Sequence, residues 1–332
     1  MVDPNFFDAH TGIPIKVLHE RNLGRNKVIE KDFLESMREG GITARFASVY
    51  VKSSYLPEMG SRRAIESIEA VRQDINESEK VSLVKSVNEL RKENKKGKYA
   101  LMLSMEGAEP IQNSLRLLNV YYDLGVRMMT LTHSRRNNVG TGSYTSVGAD
   151  EREGGISDFG EKVIRRMEEL DMAIDISHLN DEGFWDVIEI TDGPVVASHS
   201  NARALCDNPR NLTDEQLKAI AEKDGVVGLA SGVDNFVKPE NADLEDFLEH
   251  LDYMVGLIGV EHVGFGFDYW EYLEEYFPGA SEDWGRGIKG MSDSSEVDIL
   301  IRELKERGYS EKDIEKMMRE NFLTALEQIF NS

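Results

Sequence analysis

The stretch Tyr99-Ala100-Leu101-Met102-Leu103-Ser104-Met105 is an almost uninterrupted apolar run, and Glu106 follows it directly. An apolar run of this kind is typical of a parallel strand that is buried on both faces. Other short apolar runs recur along the chain with amphipathic segments between them, which is the pattern of βαβ units. In chain order, the eight predicted strands are Asn5–His10, Thr43–Val51, Tyr99–Met105, Arg127–Thr132, Met172–Ser177, Val195–Ser198, Val226–Ala230 and His262–Phe267.

The segments between these strands have apolar residues at helical spacing. Thr213 with Gln216 predicts a capping box at the start of one helix. Strands that alternate with helices, with no Ser/Gly/Pro-rich linker between them, predict a single (β/α)8 TIM barrel over residues 1–332, with extra C-terminal helices. The predicted helices are Ser61–Asn76, Ser78–Asn94, Asn113–Leu124, Asp158–Leu170, Thr213–Lys223, Leu244–Ile258, Ser294–Arg307 and Ser310–Ile329.

An open, doubly wound sheet is the alternative architecture. Such folds often carry a glycine-rich phosphate loop after the first strand. Here that position reads Asp8-Ala9-His10-Thr11-Gly12, which is not a dinucleotide-binding fingerprint. The barrel therefore explains the pattern better.

The composition excludes several partners. Asp and Glu number 61 against 39 Lys and Arg, so the net charge of -22 disfavours binding to nucleic acid or to anionic membranes. Cys206 is the single cysteine, so no intrachain disulfide forms, which favours a reducing compartment. With no recognisable signal peptide or membrane span in the sequence, we expect a cytoplasmic protein.

Polar residues that can bind metal follow six of the predicted strands. In a barrel these carboxyl-terminal strand ends share one face, where catalytic residues lie. Burying so many polar side chains without partners would be costly, so packing alone does not explain them. Histidine and carboxylate ligands from separate strands suit Zn²⁺ or another first-row divalent ion, and a carboxylate can bridge two ions. The six residues are His10, Glu106, His133, His178, His199 and Asp268.

The remaining histidines are not predicted to bind metal. His19 and His250 lie in charged segments that we expect to be exposed. His262 begins the eighth predicted strand, at the barrel face associated with stability.

Taken together, the strand-end motifs resemble those of the renal (membrane) dipeptidase family, zinc metallopeptidases with an amidohydrolase-type barrel. The resemblance runs from about Phe7 to the C-terminal helices. It implies a TIM barrel of the metal-dependent hydrolase type. The motifs that carry it are Ser104-Met105-Glu106-Gly107, Thr130-Leu131-Thr132-His133, Gly155-Ile156-Ser157-Asp158-Phe159-Gly160, Asp175-Ile176-Ser177-His178, Ser198-His199-Ser200-Asn201-Ala202-Arg203-Ala204-Leu205-Cys206, Pro209-Arg210-Asn211-Leu212 and Val263-Gly264-Phe265-Gly266-Phe267-Asp268.

The resemblance implies a centre with two Zn²⁺ ions. Glu106 would bridge them, His178 and His199 would complete one metal site, and His10 would bind the other metal. The family has a His-x-Asp motif at the first strand, whereas this chain has His10-Thr11-Gly12. Because glycine cannot ligate, we expect the site of His10 to be weakened.

The resemblance also implies the chemistry. The chain would hydrolyse the peptide bond of dipeptides through a metal-activated water, with activity impaired by Gly12. Asp268 would act as general base and then acid, and His133 would stabilise the developing oxyanion. Arg210 would bind the free carboxylate of the substrate.

Three readings of Gly12 remain open at the level of sequence. Glycine there is an introduced substitution, or the natural protein works with one metal or with Asp8 or Asp268 filling in, or hydrolysis is lost and binding retained. Alternative functions are amidohydrolysis of N-acyl amino acids or cyclic amides, and metal or peptide binding without catalysis. Independently of metal binding, Gly12 is also interpreted as a turn residue that needs unusual backbone angles.

An aromatic-rich stretch follows the last predicted strand. We interpret it as substrate pocket, subunit interface or loop packing. The resemblance implies a homodimer. The aromatic residues are Trp270, Tyr272, Tyr276, Phe277 and Trp284.

Overall fold

The computed structural model describes residues 2–143, 154–232, 234–273, 276 and 287–330. These residues form one nine-stranded parallel sheet. The strands are β1 Phe6–Asp8, β2 Ile42–Tyr50, β3 Val81–Leu83, β4 Tyr99–Glu106, β5 Val126–Thr130, β6 Ala173–Asp175, β7 Val196–Ala197, β8 Val226–Leu229 and β9 Val263–Phe265.

Eight of these strands follow one another around a barrel in the order β1-β2-β4-β5-β6-β7-β8-β9, while β3 pairs with β4 beside this path. The barrel nearly closes between its first and last strands. There the Ala9 backbone N–H donates to the Phe265 carbonyl at 2.9 Å, and the Phe267 N–H donates to Asp8 Oδ1 at 3.0 Å. The fold is the predicted TIM barrel, and all eight predicted strands are present.

Helices connect and surround the strands. A π-helical turn at Lys316–Glu320 joins the last two. No helix of the described residues is long and apolar enough to cross a membrane. The helices are α1 Ile13–Asn22, α2 Val28–Asp32, α3 Leu34–Glu39, α4 Gly60–Asn76, α5 Val87–Lys95, α6 Leu115–Leu124, α7 Asp158–Glu169, α8 Asp181–Ile190, α9 Asp214–Glu222, α10 Asp234–Val237, α11 Leu244–Ile258, α12 Ile299–Glu306, α13 Glu311–Glu315 and α14 Asn321–Ile329.

One helix prediction is wrong in its first half. Residues 78–94 were expected to be helical throughout, but β3 occupies 81–83, and α5 begins only after Ser86. The Ser86 hydroxyl accepts a hydrogen bond from the Glu89 backbone N–H, so it caps the helix. The cap sets the boundary, and pairing with β4 captures the apolar residues that precede it.

Side chains that point into the barrel change character along each strand. Phe46 of β2 and Met102 of β4 belong to an apolar cluster to which most of the barrel strands contribute. Because side chains alternate along a strand, Ser48 and Ser104 lie two residues further on the same inner face, and Glu106 lies two residues beyond Ser104. At the same level of the barrel as Ser48 and Ser104, the next three strands have the buried polar residues Thr130, Asp175 and Ser198. A layer of hydroxyls and one carboxylate thus separates the apolar interior from the barrel mouth.

Candidate metal centre

The centre is organised around the Glu106 carboxylate, at the last residue of β4. Its Oε1 atom lies 3.1 Å from His178 Nε2 and 3.5 Å from His10 Nε2. The same oxygen lies 3.6 Å from His133 Nε2 and 3.8 Å from His199 Nε2. The fold therefore brings four imidazoles from four strand ends to one carboxylate.

The donor set fits a divalent metal. The Nε2 atoms of His178 and His199 lie 2.8 Å apart. Two three-residue groups place their possible ligand atoms within 4.8 Å of one another: His10 with Glu106 and His199, and Glu106 with His133 and His178. Nitrogen and carboxylate oxygen donors at such spacing suit Zn²⁺ and its first-row neighbours.

A serine hydroxyl lies beside the Nδ1 atom of each of the three histidines that the sequence predicted as metal ligands. A partner at Nδ1 fixes the orientation of the ring and presents Nε2 to the centre. The pairs are His10 Nδ1 with Ser48 Oγ at 3.2 Å, His178 Nδ1 with Ser134 Oγ at 3.0 Å, and His199 Nδ1 with Ser198 Oγ at 2.7 Å.

The hydrogen bonds beneath His199 determine which of its ring nitrogens carries the proton. Ser198 Oγ lies 2.6 Å from Asp175 Oδ2, and an ionised carboxylate can only accept. The serine proton therefore points to Asp175, so its oxygen accepts from His199 Nδ1–H. This leaves a lone pair on His199 Nε2, the atom that faces the centre.

Two site residues adopt left-handed backbone conformations. His178 has φ 69° and Asp268 has φ 57°. Such angles cost non-glycine residues free energy and cluster at functional sites. Here they occur where the chain turns sharply after a strand.

Burial and neighbouring charges shift the pKa values in opposite directions. Burial raises the pKa of Asp268 to about 7. Burial alone would lower the pKa of His10, but the Glu106 carboxylate outweighs it and raises that pKa to about 9. For His133, burial prevails and lowers the pKa to about 4. The centre thus holds a carboxyl that titrates near neutral pH beside a neutral imidazole.

Arg210 lies beside the centre, next to His199. It is buried, and its guanidinium donates to the His199 carbonyl at 3.2 Å and lies 5.2 Å from the ring centre of Phe236. Its Nε has no hydrogen-bond partner among the described residues. Burial lowers the pKa of Arg210 to about 10, so it still carries its charge at neutral pH. A buried cation with an unpaired donor is suited to an anionic ligand.

Gly12 does not need glycine for its backbone. Its φ is −81° and its ψ is 17°, so the expectation of unusual backbone angles is wrong. Asp8 was one of two residues that the sequence suggested as a substitute for the missing ligand at position 12, but its carboxylate lies below the centre. Its Oδ2 lies 2.9 Å from the guanidinium of Arg45, and its Oδ1 accepts from backbone N–H groups. Asp268, the other offered residue, lies 3.7 Å from His10 Nε2.

His250 corrects another expectation. It is buried rather than exposed: Nδ1 accepts from the Ala202 N–H at 3.1 Å, and Nε2 donates to the Val237 carbonyl at 2.8 Å. The charged residues around it in the sequence point outward from α11, whose apolar face carries the histidine inward. Its role is to connect two loops of the barrel mouth.

The aromatic stretch after β9 packs at the barrel mouth. Trp270 and Leu273 form a small apolar cluster, against which Tyr272, Tyr276 and Ile15 pack. Two members of the stretch, Phe277 and Trp284, lie outside the described residues.

Sequence reasoning missed the residues that support the ligands. These are Ser48, Ser134, Asp175, Ser198 and Tyr50, whose ring packs on His133 at 4.6 Å. A signal was present for three of them, because Ser134, Asp175 and Ser198 lie within three residues of a predicted site residue, whereas Ser48 and Tyr50 belong to β2, which carries none.

Comparisons with known proteins agree with this geometry. Residues 1–331 match the membrane dipeptidase family, peptidase family M19. Mouse dipeptidase 3 is 29% identical over 343 residues, an alignment that covers 99% of this chain but only 65% of the mouse protein.

Two solved structures share the whole fold. Dipeptidase AC, a metallopeptidase of family M19, superposes with a TM-score of 0.86 at 28% identity, over 99% of this chain and 100% of that one. A metallopeptidase from Rhodobacter sphaeroides, liganded with a phosphinate mimic of the dipeptide L-Ala-D-Ala, gives a TM-score of 0.85 at 26% identity, over 98% and 99% of the two chains. The chain belongs to the membrane dipeptidase family of metallopeptidases.

Proposed function

We propose that this protein is a zinc-dependent dipeptidase that hydrolyses dipeptides with a free C-terminal carboxylate. One observation carries the proposal: the converging Nε2 atoms of His178 and His199 share the barrel mouth with Glu106 and with the buried cation of Arg210. Candidate metal ligands beside a buried guanidinium, one N–H group of which is unpaired in the described part of the chain, suit a small substrate that has a carboxylate near its scissile bond.

His178, His199 and Glu106 would hold one Zn²⁺, and His10 with Glu106 would contribute to a second. When bound, the metal centre would lower the pKa of a water molecule and polarise the substrate carbonyl. The Nδ1 partners keep each Nε2 directed at the centre, so little reorganisation is needed when metal binds.

The remaining residues supply proton transfer and binding. With a pKa of about 7, Asp268 would accept a proton during attack and return it to the leaving amine near neutral pH. His133 is neutral at that pH and would donate a hydrogen bond to the carbonyl oxygen as negative charge develops on it. Arg210 would bind the carboxylate through its planar fork.

The substrate class is also supported by a relative. The Rhodobacter sphaeroides metallopeptidase binds a phosphinate mimic of L-Ala-D-Ala. We therefore propose that this chain accepts either L- or D-residues at the C-terminal position.

The test uses the purified chain of residues 1–332 with excess Zn²⁺, and a matched sample stripped with chelator. Substrates are L,L and L,D dipeptides, the same dipeptides with amidated C-termini, N-acetyl amino acids and cyclic amides. We expect chelator-sensitive hydrolysis of the free dipeptides and poor hydrolysis of the amides.

Other outcomes separate the alternatives. Hydrolysis of N-acetyl amino acids or cyclic amides without any dipeptide turnover would replace the proposal with a different amidohydrolase activity. Zinc binding with no turnover of any substrate would contradict catalysis and favour a binding role. The homodimer and the cytoplasmic location stay predictions, which light scattering and cell fractionation would test.

A further inference from the structure

The space beside Gly12 is occupied by the segment that follows β9. A Cβ atom built on Gly12 would lie 3.3 Å from Leu273 Cδ1 and 3.4 Å from the Tyr272 hydroxyl oxygen. A carboxylate oxygen on residue 12 would sit two bonds beyond that Cβ. The Tyr272 hydroxyl therefore lies within the region that such an oxygen would reach.

Neighbouring residues hold Tyr272 in this position. Its hydroxyl lies 3.2 Å from the Thr11 hydroxyl, between His10 and Gly12 in the chain. Its ring packs edge-on against Phe33, with ring centres 5.0 Å apart and an interplanar angle of 89°. The hydroxyl thus approaches the His10 turn while the ring is anchored elsewhere.

The other nearby oxygens have partners or tasks of their own. Asp8 is paired with Arg45 and with backbone N–H groups below the centre. Asp268 is the proton carrier of the proposed reaction. Apart from the chain neighbours of Gly12, the Tyr272 hydroxyl is the side-chain oxygen of the described residues that lies nearest to a Cβ atom at position 12.

We propose that the Tyr272 hydroxyl takes the place of the carboxylate that Gly12 lacks and completes a second divalent-metal site with His10 and Glu106. This inference rests on the metal centre of the proposed function. Burial raises the pKa of the Tyr272 phenol well above its ordinary value, so the hydroxyl keeps its proton, and a neutral phenol oxygen is a weaker metal ligand than a carboxylate. The site of His10 therefore binds Zn²⁺ more weakly than the site of His178 and His199.

The test is titration of the metal-free chain of residues 1–332 with Zn²⁺ against a chromophoric chelator, which reports stoichiometry and affinity without turnover. We expect two equivalents of unequal affinity. The Tyr272→Phe variant keeps the ring that packs on Phe33 and should weaken the weaker site by about 10- to 100-fold. The tighter site should not change.

Tyr276→Phe is the matched control, because the Tyr276 hydroxyl belongs to the same segment but donates to Glu20. It should leave both affinities unchanged. Adding Gly12→Asp to Tyr272→Phe should restore the weaker site, which would exclude general damage by the Phe substitution.

Two results would overturn the inference: binding of a single equivalent by the parent protein, or two equivalents whose affinities Tyr272→Phe leaves unchanged. Zinc titration and peptide hydrolysis fail independently. If Tyr272→Phe weakens zinc binding but the parent protein hydrolyses no dipeptide, only the proposed dipeptidase activity is contradicted. If the parent protein hydrolyses dipeptides but Tyr272→Phe leaves zinc affinity unchanged, only this inference is contradicted.

Discussion

Asp175→Asn should reverse the hydrogen bonds beneath His199 with almost no change of shape. In the parent protein, Asp175 Oδ2 accepts from the hydroxyls of Thr130 and Ser198, each at 2.6 Å. Its Oδ1 accepts from the backbone N–H groups of Ser177 at 3.0 Å and Ser198 at 2.9 Å. All four bonds therefore run toward the carboxylate.

In the Asp175→Asn variant, the amide oxygen can keep the two backbone bonds, which leaves its NH₂ group facing two hydroxyls. Those hydroxyls must then accept, so the Ser198 proton turns toward His199 Nδ1. The imidazole proton moves to Nε2, where an incoming metal has to displace it. We expect Zn²⁺ affinity to fall by about 10- to 100-fold, equivalent to about 1.4–2.8 kcal/mol.

Two measurements check this prediction. Zinc competition gives the affinity, and nitrogen NMR of the metal-free protein shows which ring nitrogen of His199 carries the proton. Thr130→Val is the matched control, since it removes the other hydroxyl from Asp175 and leaves Ser198 in place. An Asp175→Asn protein that binds zinc as tightly as the parent, with His199 still protonated at Nδ1, would refute the reasoning.

Three further predictions concern charge. Arg210→Met should lower kcat/KM for free dipeptides by at least about 30-fold, the equivalent of about 2 kcal/mol. The same substitution should have little effect on kcat/KM for the C-terminal amides of those dipeptides. An equal loss for both substrates would argue against a contact between Arg210 and the carboxylate. Burial lowers the pKa of His250 below the unfolded value of about 6.5, so the unfolded chain binds the proton more readily and stability is lost as pH falls below that value. Urea unfolding against pH should show a shallower acid loss for His250→Gln than for the parent, and parallel curves would contradict this. Glu106 holds the His10 pKa near 9, so His10 is protonated at neutral pH. Binding of metal to the site of His10 should therefore release about one proton. Calorimetry in buffers of different ionisation enthalpy would detect this proton, and release of none would exclude His10 as a ligand.

The barrel was predictable because its main signal is local. Each buried parallel strand is a short apolar run, and the eight runs were found with ends shifted by a few residues. The error at β3 has a physical reason. Val81–Leu83 is too short for its period to distinguish strand from helix, and only pairing with β4 decides. Helices α2, α3 and α10 were missed because each is short, with six residues at most. Helix α1 was missed because it carries charged residues on several sides. Helix α8 was missed although it is as long as α6.

The candidate metal ligands could be selected from the sequence because each lies at the last residue of its strand or within three residues after it. Their supporting residues could not, since nothing in the sequence says which serine faces which ring. Asp175 lies within the quoted motif Asp175-Ile176-Ser177-His178, yet it acts on His199 of the neighbouring strand. Such a contact depends on the register between β6 and β7. Tyr272 is separated from Gly12 by almost the whole chain, so only closure of the barrel brings them together.

The two sides of the centre are prepared differently for metal. Burial lowers the pKa of His178 and of His199, so both rings are neutral at neutral pH and neither has to lose a positive charge before it binds metal. His10 instead carries a proton at that pH and pairs with Glu106 across 3.5 Å. That ion pair balances the negative charge of the buried Glu106 carboxylate. A buried carboxylate without such a partner would be costly. We therefore expect the proposed site of His178 and His199 to bind metal first. We expect the proposed site of His10 to bind metal only when the cation replaces the His10 proton as the partner of Glu106.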